Sequence, residues 1–596
     1  MLAFIICFLL LSMSKFYAIH HNLNSDSLDE SPLPPPPPQS TTSPPSSSST
    51  AMIQRIAFGS CNNPLKGGQI WNLITSTDPD RLILLGDNVY ADKKKSIMGH
   101  FEAASPIRIQ YMYSLLKNDP NFKGLVKHLG GFSKGINAIY DDHDYGINDG
   151  DMSFESRDES MTLFWDFLDV EMTSPRRKQS GVYSSQSVRV ALPNRNRNSN
   201  NSSNSNSDSG GNSMGYSGVF DYKVILVDTR SNNNVKLSFA SECDFLGDEQ
   251  WSWLEQQLLQ QPFPDLILLG SGIQVLPTDK VIEEVWNACP RSRTRLLKLV
   301  KVASEFTNIV LLSGDIHSAE VLQANLNFES DKTESYSSSQ SSSSDETSSP
   351  SPYHLYEFTS SGLSHTVNRI IDHDITIRSN NSFIDYSVSD KIKTKSRSPF
   401  VGYFYNLYQA IGPHSYRMDR FYDTYQGVHF GSMEIHHQAI DFDNSSSNSN
   451  SSTNHMEGDA PDSAFYLSMD IINHEGNVVM NKMVPLKSFK KTKSFSDKIT
   501  KKIQSTTEAA SEADSASSIA PQTESLIQSK IDSLMKLGVV ETPWNGPIRR
   551  WRLVVFQITV SLLLLVFVVI PVLVRKQDIC HTLTLTLISQ ALSLYN

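Results

Sequence analysis

Two stretches of the chain share one arrangement of apolar and polar positions: an apolar run that ends on a Gly-Asp pair. Residues 82–85 (LILL) lead into Gly86 and Asp87, and residues 309–312 (IVLL) lead through Ser313 into Gly314, Asp315 and then His317. Continuous apolar runs of this length are typical of buried strands. Open α/β sheets bind ligands at the carboxyl ends of their strands, so the pattern favours a metal site there. For either pair alone, a turn closing a hairpin is the alternative.

The remaining periodicity predicts an α/β fold with mixed sheets. Apolar runs at 54–60, 135–140 and 266–269 predict further strands, and the spacing within 106–116, 122–129, 157–168 and 248–260 predicts helices between them. Later segments alternate between apolar and polar positions as antiparallel strands do, at 353–358, 430–442, 465–472 and 478–484. Strands alternating with helices indicate a layered α/β core.

Low-complexity stretches divide the chain. Residues 19–51 are rich in Pro and Ser, and Ser/Asn-rich runs lie near 194–213, 330–352 and 444–456. These segments lack the apolar residues needed to offset the entropy of ordering, so we expect disorder there. Residues 52–486 then form one large domain. A segment rich in Lys and then in Ser, Ala and Glu, 487–548, is expected to be a stalk.

Both ends of the chain carry apolar runs. Residues 1–18 have the length of a signal peptide, although Lys15 follows the apolar run and an uncleaved anchor is the alternative. Residues 553–574 contain no charged residue and, at about 1.5 Å per residue, would span roughly 33 Å as a transmembrane helix. Residues 575–596 would form a short cytosolic tail. The sequence therefore predicts a single-pass membrane protein of the secretory pathway, with its domain lumenal or extracellular.

Charge and cysteines fit that compartment. The net charge of −11 argues against nucleic-acid binding. Potential N-glycosylation sites are compatible with a lumenal glycoprotein, at Asn200, Asn201, Asn380, Asn444 and Asn450. Outside the two terminal segments the cysteines are Cys61, Cys243 and Cys289. The simplest partition is a disulfide between Cys243 and Cys289, with Cys61 retained as a thiol for chemistry.

Residues able to bind metals follow several predicted strands. They are Cys61, Asp87 with Tyr90, the run Asp141-Asp142-His143-Asp144, and Asp315 with His317. Singly, a buried Cys, a packed Tyr and a solvated acidic turn would each be ordinary. Together, a thiolate and a phenolate favour an oxidised ion such as Fe³⁺, whereas carboxylate oxygens suit Ca²⁺ or Mg²⁺. This mixture predicts a site with two or three metals for phosphoryl transfer.

Seven ordered motifs between about residues 55 and 484 resemble the PhoD-like alkaline phosphatases of the metallophosphoesterase superfamily. They are 58–61 (FGSC), 85–92 (LGDNVYAD), 140–146 (YDDHDYG), 227–230 (VDTR), 246–254 (LGDEQWSWL), 313–317 (SGDIH) and 359–363 (TSSGL). The resemblance implies a four-layer sandwich, in which helices flank two mixed β-sheets. It also implies a metal-dependent phosphatase that uses Fe³⁺ and Ca²⁺ and hydrolyses phosphate mono- or diesters by metal-activated hydroxide attack.

The resemblance also assigns roles to single residues. It implies that Cys61 and Tyr90 bind Fe³⁺, that Asp87 bridges metals, and that Asp315 and His317 complete the cluster. Asp142 would bind metal, and His143 would steady the leaving-group oxygen. Arg230 would bind phosphate or form a structural ion pair.

Two other functions stay open from the sequence. One is a lipid or nucleotide phosphodiesterase, and the other is an inactive surface binding module on the same fold. The chain lacks an obvious β domain before residues 59–61, which leaves the substrate pocket undefined. It also lacks a GxxxxGK loop, which argues against a nucleotide triphosphatase of that class.

Overall fold

A computed structural model describes residues 50–66, 68–94, 101–192, 218–238, 242–278, 280, 283–328, 353–366, 416–417, 424–438, 465–487 and 515–543. Several predicted segments lie outside these residues: the predicted signal peptide, most of the Pro/Ser-rich segment, the three predicted insertions, the lysine-rich start of the predicted stalk, the apolar run at 553–574 and the predicted tail. Within the part of the chain that is described, no helix is both long and apolar enough to cross a membrane.

The strands, in chain order, are β1 (Thr50–Gly59), β2 (Arg81–Leu85), β3 (Lys93–Lys94), β4 (Phe101–Glu102), β5 (Ile136–Ile139), β6 (Ser184–Ala191), β7 (Val219–Val227), β8 (Leu266–Ser271), β9 (Asn308–Ser313), β10 (Ala319–Phe328), β11 (Tyr353–Ser360), β12 (Thr424–Tyr425), β13 (His429–Gln438), β14 (Phe465–Asn473), β15 (Val478–Pro485) and β16 (Val539–Pro543).

The helices are α1 (Gln69–Ser76), α2 (Pro106–Asn118), α3 (Pro120–His128), α4 (Phe132–Gly135), α5 (Asp142–Tyr145), α6 (Arg157–Phe167), α7 (Gly247–Leu259), α8 (Pro290–Ala303) and α9 (Ser515–Leu534). Short 3-10 helices occupy Pro64–Lys66, Pro175–Lys178 and Trp286–Ala288. Two helices begin with a capped first turn: the Ser105 side chain accepts a hydrogen bond from the amide of Arg108 before Pro106, and the Asp119 side chain accepts from the amides of Asn121 and Phe122 before Pro120.

Two mixed sheets form the core, as predicted. The first has the order β15-β14-β13-β1-β2-β5, in which β1, β2 and β5 run parallel and the other neighbours antiparallel. The second has the order β12-β10-β11-β9-β8-β7-β6, with β7, β8, β9 and β11 parallel. β16 pairs with β10 in the second sheet.

The layers follow from the two-residue period of the strands. On β8, Leu266 and Leu268 pack into the cluster that contains the first sheet and helices α1 to α3, whereas Ile267 and Leu269 pack with Trp251 of α7 and the apolar side of α8. Each sheet is thus covered by helices on its outer side. This confirms the predicted arrangement of two mixed sheets flanked by helices.

The cysteines pair as the sequence predicts. Cys243 and Cys289 form a disulfide, and Cys61 is a buried free cysteine. The bridge ties the segment before α7 to the start of α8.

Part of the predicted stalk is built into the domain instead. Ile527 and Ile531 of α9 pack against Val302, and the backbone of β16 pairs with that of β10. Arg293 forms a salt bridge with Glu541 at 2.6 Å. The Ser/Ala/Glu-rich composition did not predict this packing, because only a few apolar positions, on one face of α9 and along β16, make the contacts. Residues 515–543 therefore pack on the domain beyond residue 486, where the sequence placed its end.

Candidate metal centre

The predicted ligands meet where the parallel strands of both sheets end. The amide of Asn62 donates to the carbonyl oxygen of Asp87 at 2.8 Å, which links the ends of β1 and β2. Ser60 and Ser361 form a parallel bridge between the sheets. A Cβ atom on Gly314 would lie 2.5 Å from Ser60 Oγ, so glycine is required there for the two sheet ends to approach.

The backbone is unusual at four of the predicted ligands. Cys61, Asp87, Asp315 and His317 have φ angles of 60°, 47°, 69° and 55°. Positive φ is uncommon for residues other than glycine and persists where the surrounding structure holds it. Such positions cluster at functional sites, so the strand ends are shaped to present these side chains.

One group of donor atoms surrounds the Asp87 carboxylate. Tyr90 OH donates to Asp87 Oδ2 at 3.0 Å, and Cys61 Sγ lies 3.4 Å from the same oxygen. Tyr90 OH also lies 3.5 Å from Nδ1 of His317. Protein ligands bound about 2 Å from one ion lie about 3 Å from each other. The structure therefore brings together four predicted ligands at a spacing suited to a shared ion.

A second group of donor atoms lies beside the first. Ligand atoms of Asp87, Asp142 and His143 all lie within 4.8 Å of one another, and so do those of Asp141, Asp142 and Asp315. Asp142 belongs to both sets. Oδ2 of Asp315 and Oδ2 of Asp141 are buried without a hydrogen-bond partner among the described residues. Buried carboxylate oxygens without partners are costly, and a hard cation would satisfy them.

The electrostatics of the site also fit cations. Burial raises the pKa of the Cys61 thiol to about 12 and holds the pKa values of Asp87, Tyr90 and Asp315 well above their ordinary values. The mutual repulsion of the acidic groups adds to this effect. Positive ions would reverse it and favour the thiolate, phenolate and carboxylates as ligands. The residues present thus fit a metal centre.

Asp142 and His143 follow β5, and nearby charges outweigh burial in setting the pKa of each. Burial alone would raise the pKa of Asp142, but His143 and Arg230 outweigh it and lower that pKa to about 2. Burial likewise disfavours charged His143, but Asp142 and Asp87 raise its pKa to about 10. His143 Nδ1 lies 2.7 Å from Asp92 Oδ1, which fixes the ring.

Arg230 lies in a buried ion pair. Its guanidinium bonds to Asp141 through Nε and to Glu284 through Nη1, and the side chain is fully buried. The ion pair, one of the two roles left open by the sequence, is present, and Nη2 of Arg230 is buried without a hydrogen-bond partner among the described residues. Arg230 restrains Asp141, which carries one of the two unpartnered carboxylate oxygens.

Three residues support the site; Asp92 and Ser361 had no role in the sequence analysis, and Asp144 was there a candidate ligand. Asp92 holds His143, and Ser361 Oγ lies 3.0 Å from Cys61 Sγ while it accepts from the amide of His317 at 2.8 Å. Asp144 accepts from the backbone amides of Asp87 and Asn88 at 3.2 and 3.0 Å. All three lie inside the seven motifs, which was the available signal. Their partners are distant in sequence, so the pattern alone does not assign the contacts.

Comparison with known proteins supports the motif resemblance. Residues 192–382 match the family model described as PhoD-like phosphatase, a range that includes Arg230, Asp315 and His317. A solved structure entitled "Structure of PhoD" is 15% identical with a TM-score of 0.35, and the match covers 52% of this chain and 57% of that one, little more than half of its length. No curated protein matches the chain. The match of residues 192–382 to this family model confirms the resemblance predicted from the motifs.

Proposed function

We propose that this PhoD-like chain is a metal-dependent hydrolase of phosphate mono- or diesters. The observation that carries the proposal is the meeting of Cys61, Asp87 and Tyr90 within 3.4 Å contacts, beside the acids Asp142 and Asp315. Cys61 and Tyr90 would hold Fe³⁺, and the carboxylates would hold Ca²⁺ or another divalent ion. Bound metals would supply Lewis acidity and lower the pKa of water.

The chain's own residues would orient the reaction. Nδ1 of His143 is hydrogen-bonded to Asp92, so Nε2 is the ring nitrogen that could donate a hydrogen bond to the leaving-group oxygen. Hydrolysis would form a bond from a water oxygen to phosphorus and break the bond to the leaving group. A proton would pass to the leaving-group oxygen. His143 lies beside Asp87 and Asp142, where it would stabilise the departing charge.

Assays with the full chain test this function. Purified protein is given a panel of monoesters and a panel of diesters before and after treatment with a chelator. We expect turnover that chelation abolishes and that added iron and calcium restore. If metal-loaded protein hydrolyses no ester, the proposal fails and a binding module is favoured. Metal content measured by elemental analysis confirms loading in each case.

We also propose that the domain is lumenal or extracellular and tethered through residues 553–574. The disulfide between Cys243 and Cys289 supports an oxidising compartment, and the uncharged apolar run supports a single span. Sealed vesicles with their cytosolic face outward are treated with protease. The domain should be protected until detergent is added. Its digestion in sealed vesicles would contradict this topology.

A further inference from the structure

Glu283 lies beside the metal centre, in the loop between β8 and the 3-10 helix that begins at Trp286, and none of the seven motifs includes it. The backbone amide of Trp286 donates to the carbonyl oxygen of Gln274 at 2.9 Å, and its indole Nε1 donates to Ser271 Oγ at 2.9 Å. These bonds tie the end of the loop to the segment that follows β8. The fold therefore fixes where the loop lies relative to the strand ends.

The residue next to Glu283 is linked to the metal centre through one side chain. Glu284 pairs with Nη1 of Arg230, and Nε of the same guanidinium group pairs with Asp141. Asp141 belongs to what we call the acidic set, in which all the ligand atoms lie within 4.8 Å of one another. The acidic set consists of Asp141, Asp142 and Asp315. The loop thus brings Glu283 to the side of this set.

The Glu283 carboxylate interacts with the acidic set through its charge. Burial raises the pKa of Glu283 to about 7, and Lys280 opposes this effect while Asp149 and Asp142 add to it. Burial also raises the pKa of Asp315, and the charge of Glu283 adds to that shift. Among the described residues, no hydrogen bond or salt bridge holds the Glu283 carboxylate. It therefore repels the acidic set without a protein partner of its own.

The acidic set itself offers few free oxygen atoms. Oδ1 of Asp141 accepts from Arg230, and both oxygens of Asp142 accept from backbone amides. Oδ2 of Asp141 and Oδ2 of Asp315 are buried without a hydrogen-bond partner among the described residues. Ca²⁺ binds about six to eight oxygen ligands. A divalent ion at this set needs further donors, and a neighbouring carboxylate can supply two.

Resting on the metal-dependent function proposed above, we propose that Glu283 is a carboxylate ligand of the divalent ion that the acidic set binds. A cation would neutralise the repulsion between Glu283 and Asp315 and would use the unpartnered oxygens of the set. A fourth carboxylate favours Ca²⁺, because Mg²⁺ demands near-ideal octahedral geometry and usually keeps several waters. Glu283 therefore determines how tightly calcium binds, whereas Cys61 and Tyr90 lie in the other group of donor atoms.

The test compares calcium binding by the full chain and by Glu283→Gln, which removes the charge and keeps the shape. Protein is freed of divalent ions by chelation, its iron content is measured, and calcium chloride is titrated in a calorimeter. Loss of groups that only orient a metal ligand weakens metal binding by about 10-fold to 100-fold, so loss of a charged ligand should weaken calcium binding by at least about tenfold. The rise in Tm that calcium produces should shrink as well. Iron content should stay at the wild-type level.

Controls separate loss of a ligand from damage to the site. Glu159→Gln removes an exposed acid from α6 and should bind calcium as wild type does. In metal-free protein, Glu283→Gln should be at least as stable as wild type, because its repulsion of Asp315 is gone. Calcium affinity within about twofold of wild type in folded Glu283→Gln would overturn the inference. Loss of iron together with calcium would overturn it too, because the substitution would then have disturbed the whole centre.

Activity assays distinguish this inference from the proposed function. Wild-type protein that binds calcium but hydrolyses neither monoesters nor diesters would overturn the proposed function, while weaker calcium binding by Glu283→Gln would still support Glu283 as a ligand. Wild-type protein that hydrolyses esters but binds no calcium would overturn the inference and leave the proposed function standing.

Discussion

The hydroxyl group of Tyr90 donates a hydrogen bond to Oδ2 of Asp87 at 3.0 Å. Cys61 Sγ lies 3.4 Å from that same oxygen, although it precedes β2 in the chain and Tyr90 follows it. Burial raises the pKa of this thiol, phenol and carboxylate. Their deprotonated forms are therefore unfavourable together unless a cation binds between them. The three side chains are the most informative place to probe metal identity.

Pure protein should be coloured if Cys61 and Tyr90 bind Fe³⁺. Thiolate and phenolate ligands need a highly charged ion to stay deprotonated near neutral pH, and their bonds to iron give charge-transfer absorption. Tyr90→Phe and Cys61→Ser should each lose colour, iron and activity. Visible absorption and elemental analysis measure this, with Tyr111→Phe, an exposed tyrosine on α2, as the matched control. An active, colourless protein that contains other metals only would contradict the iron assignment.

Asp315→Asn should lower turnover about 100-fold or more, the scale of lost electrostatic stabilisation of a transition state. Asparagine suits the φ of 69° at this position better than alanine does, so the backbone is retained. In metal-free protein the variant should be at least as stable as wild type, because it removes a carboxylate crowded by Asp141 and Glu283. Kinetics and thermal unfolding measure the two effects.

Asp158→Asn, at an exposed position on α6, is the control for that variant and should change neither property. Near wild-type turnover by folded Asp315→Asn would refute its role at the centre.

Removing residues 515–543 should destabilise the domain. Arg293 and Glu541 are mostly buried, and loss of one partner of a buried ion pair costs about 3–5 kcal/mol. Glu541→Gln should lower the free energy of unfolding by about 3 kcal/mol, and a chain that ends at residue 487 should lose more, since β10 also loses its pairing with β16. Urea unfolding measures this. Asp532→Asn on the exposed side of α9 should be neutral; equal stability of the shortened chain would show that the segment only rests on the domain.

Glu320 should make stability depend on acid pH. It is buried, and although burial raises its pKa, Arg417 and Lys280 outweigh this and hold the pKa well below the ordinary 4.5. The unfolded chain therefore binds more protons, so the contribution of Glu320 is full above about pH 4.5 and is lost as pH falls towards the folded pKa. The gap in unfolding free energy between wild type and Glu320→Gln should be largest near neutral pH.

That gap should shrink in acid, whereas exposed Glu475→Gln should match wild type at every pH. A gap that is constant from neutral pH down to pH 3 would mean that the carboxylate charge is not what stabilises the network.

The sequence by itself determined the strand ends and the chemistry placed on them. Apolar runs before Asp87 and Asp315 predict strands that are buried on both faces, because successive side chains of a strand point to opposite faces and every one in these runs is apolar. Residue type then limits the metals that Cys61, Tyr90 and the carboxylates can hold. The count of cysteines was enough to predict the bridge that the structure contains.

Only the tertiary structure decided which distant groups meet. The burial of Arg230 between Asp141 and Glu284, the pairing of β16 with β10, and the contact of Lys66 with His365 all join residues far apart in the chain. Such contacts depend on how the two sheets pack and in which register their strands align. The periodicity of side chains along the chain predicts neither. Local pattern therefore predicted the ligands, whereas packing assigned their partners.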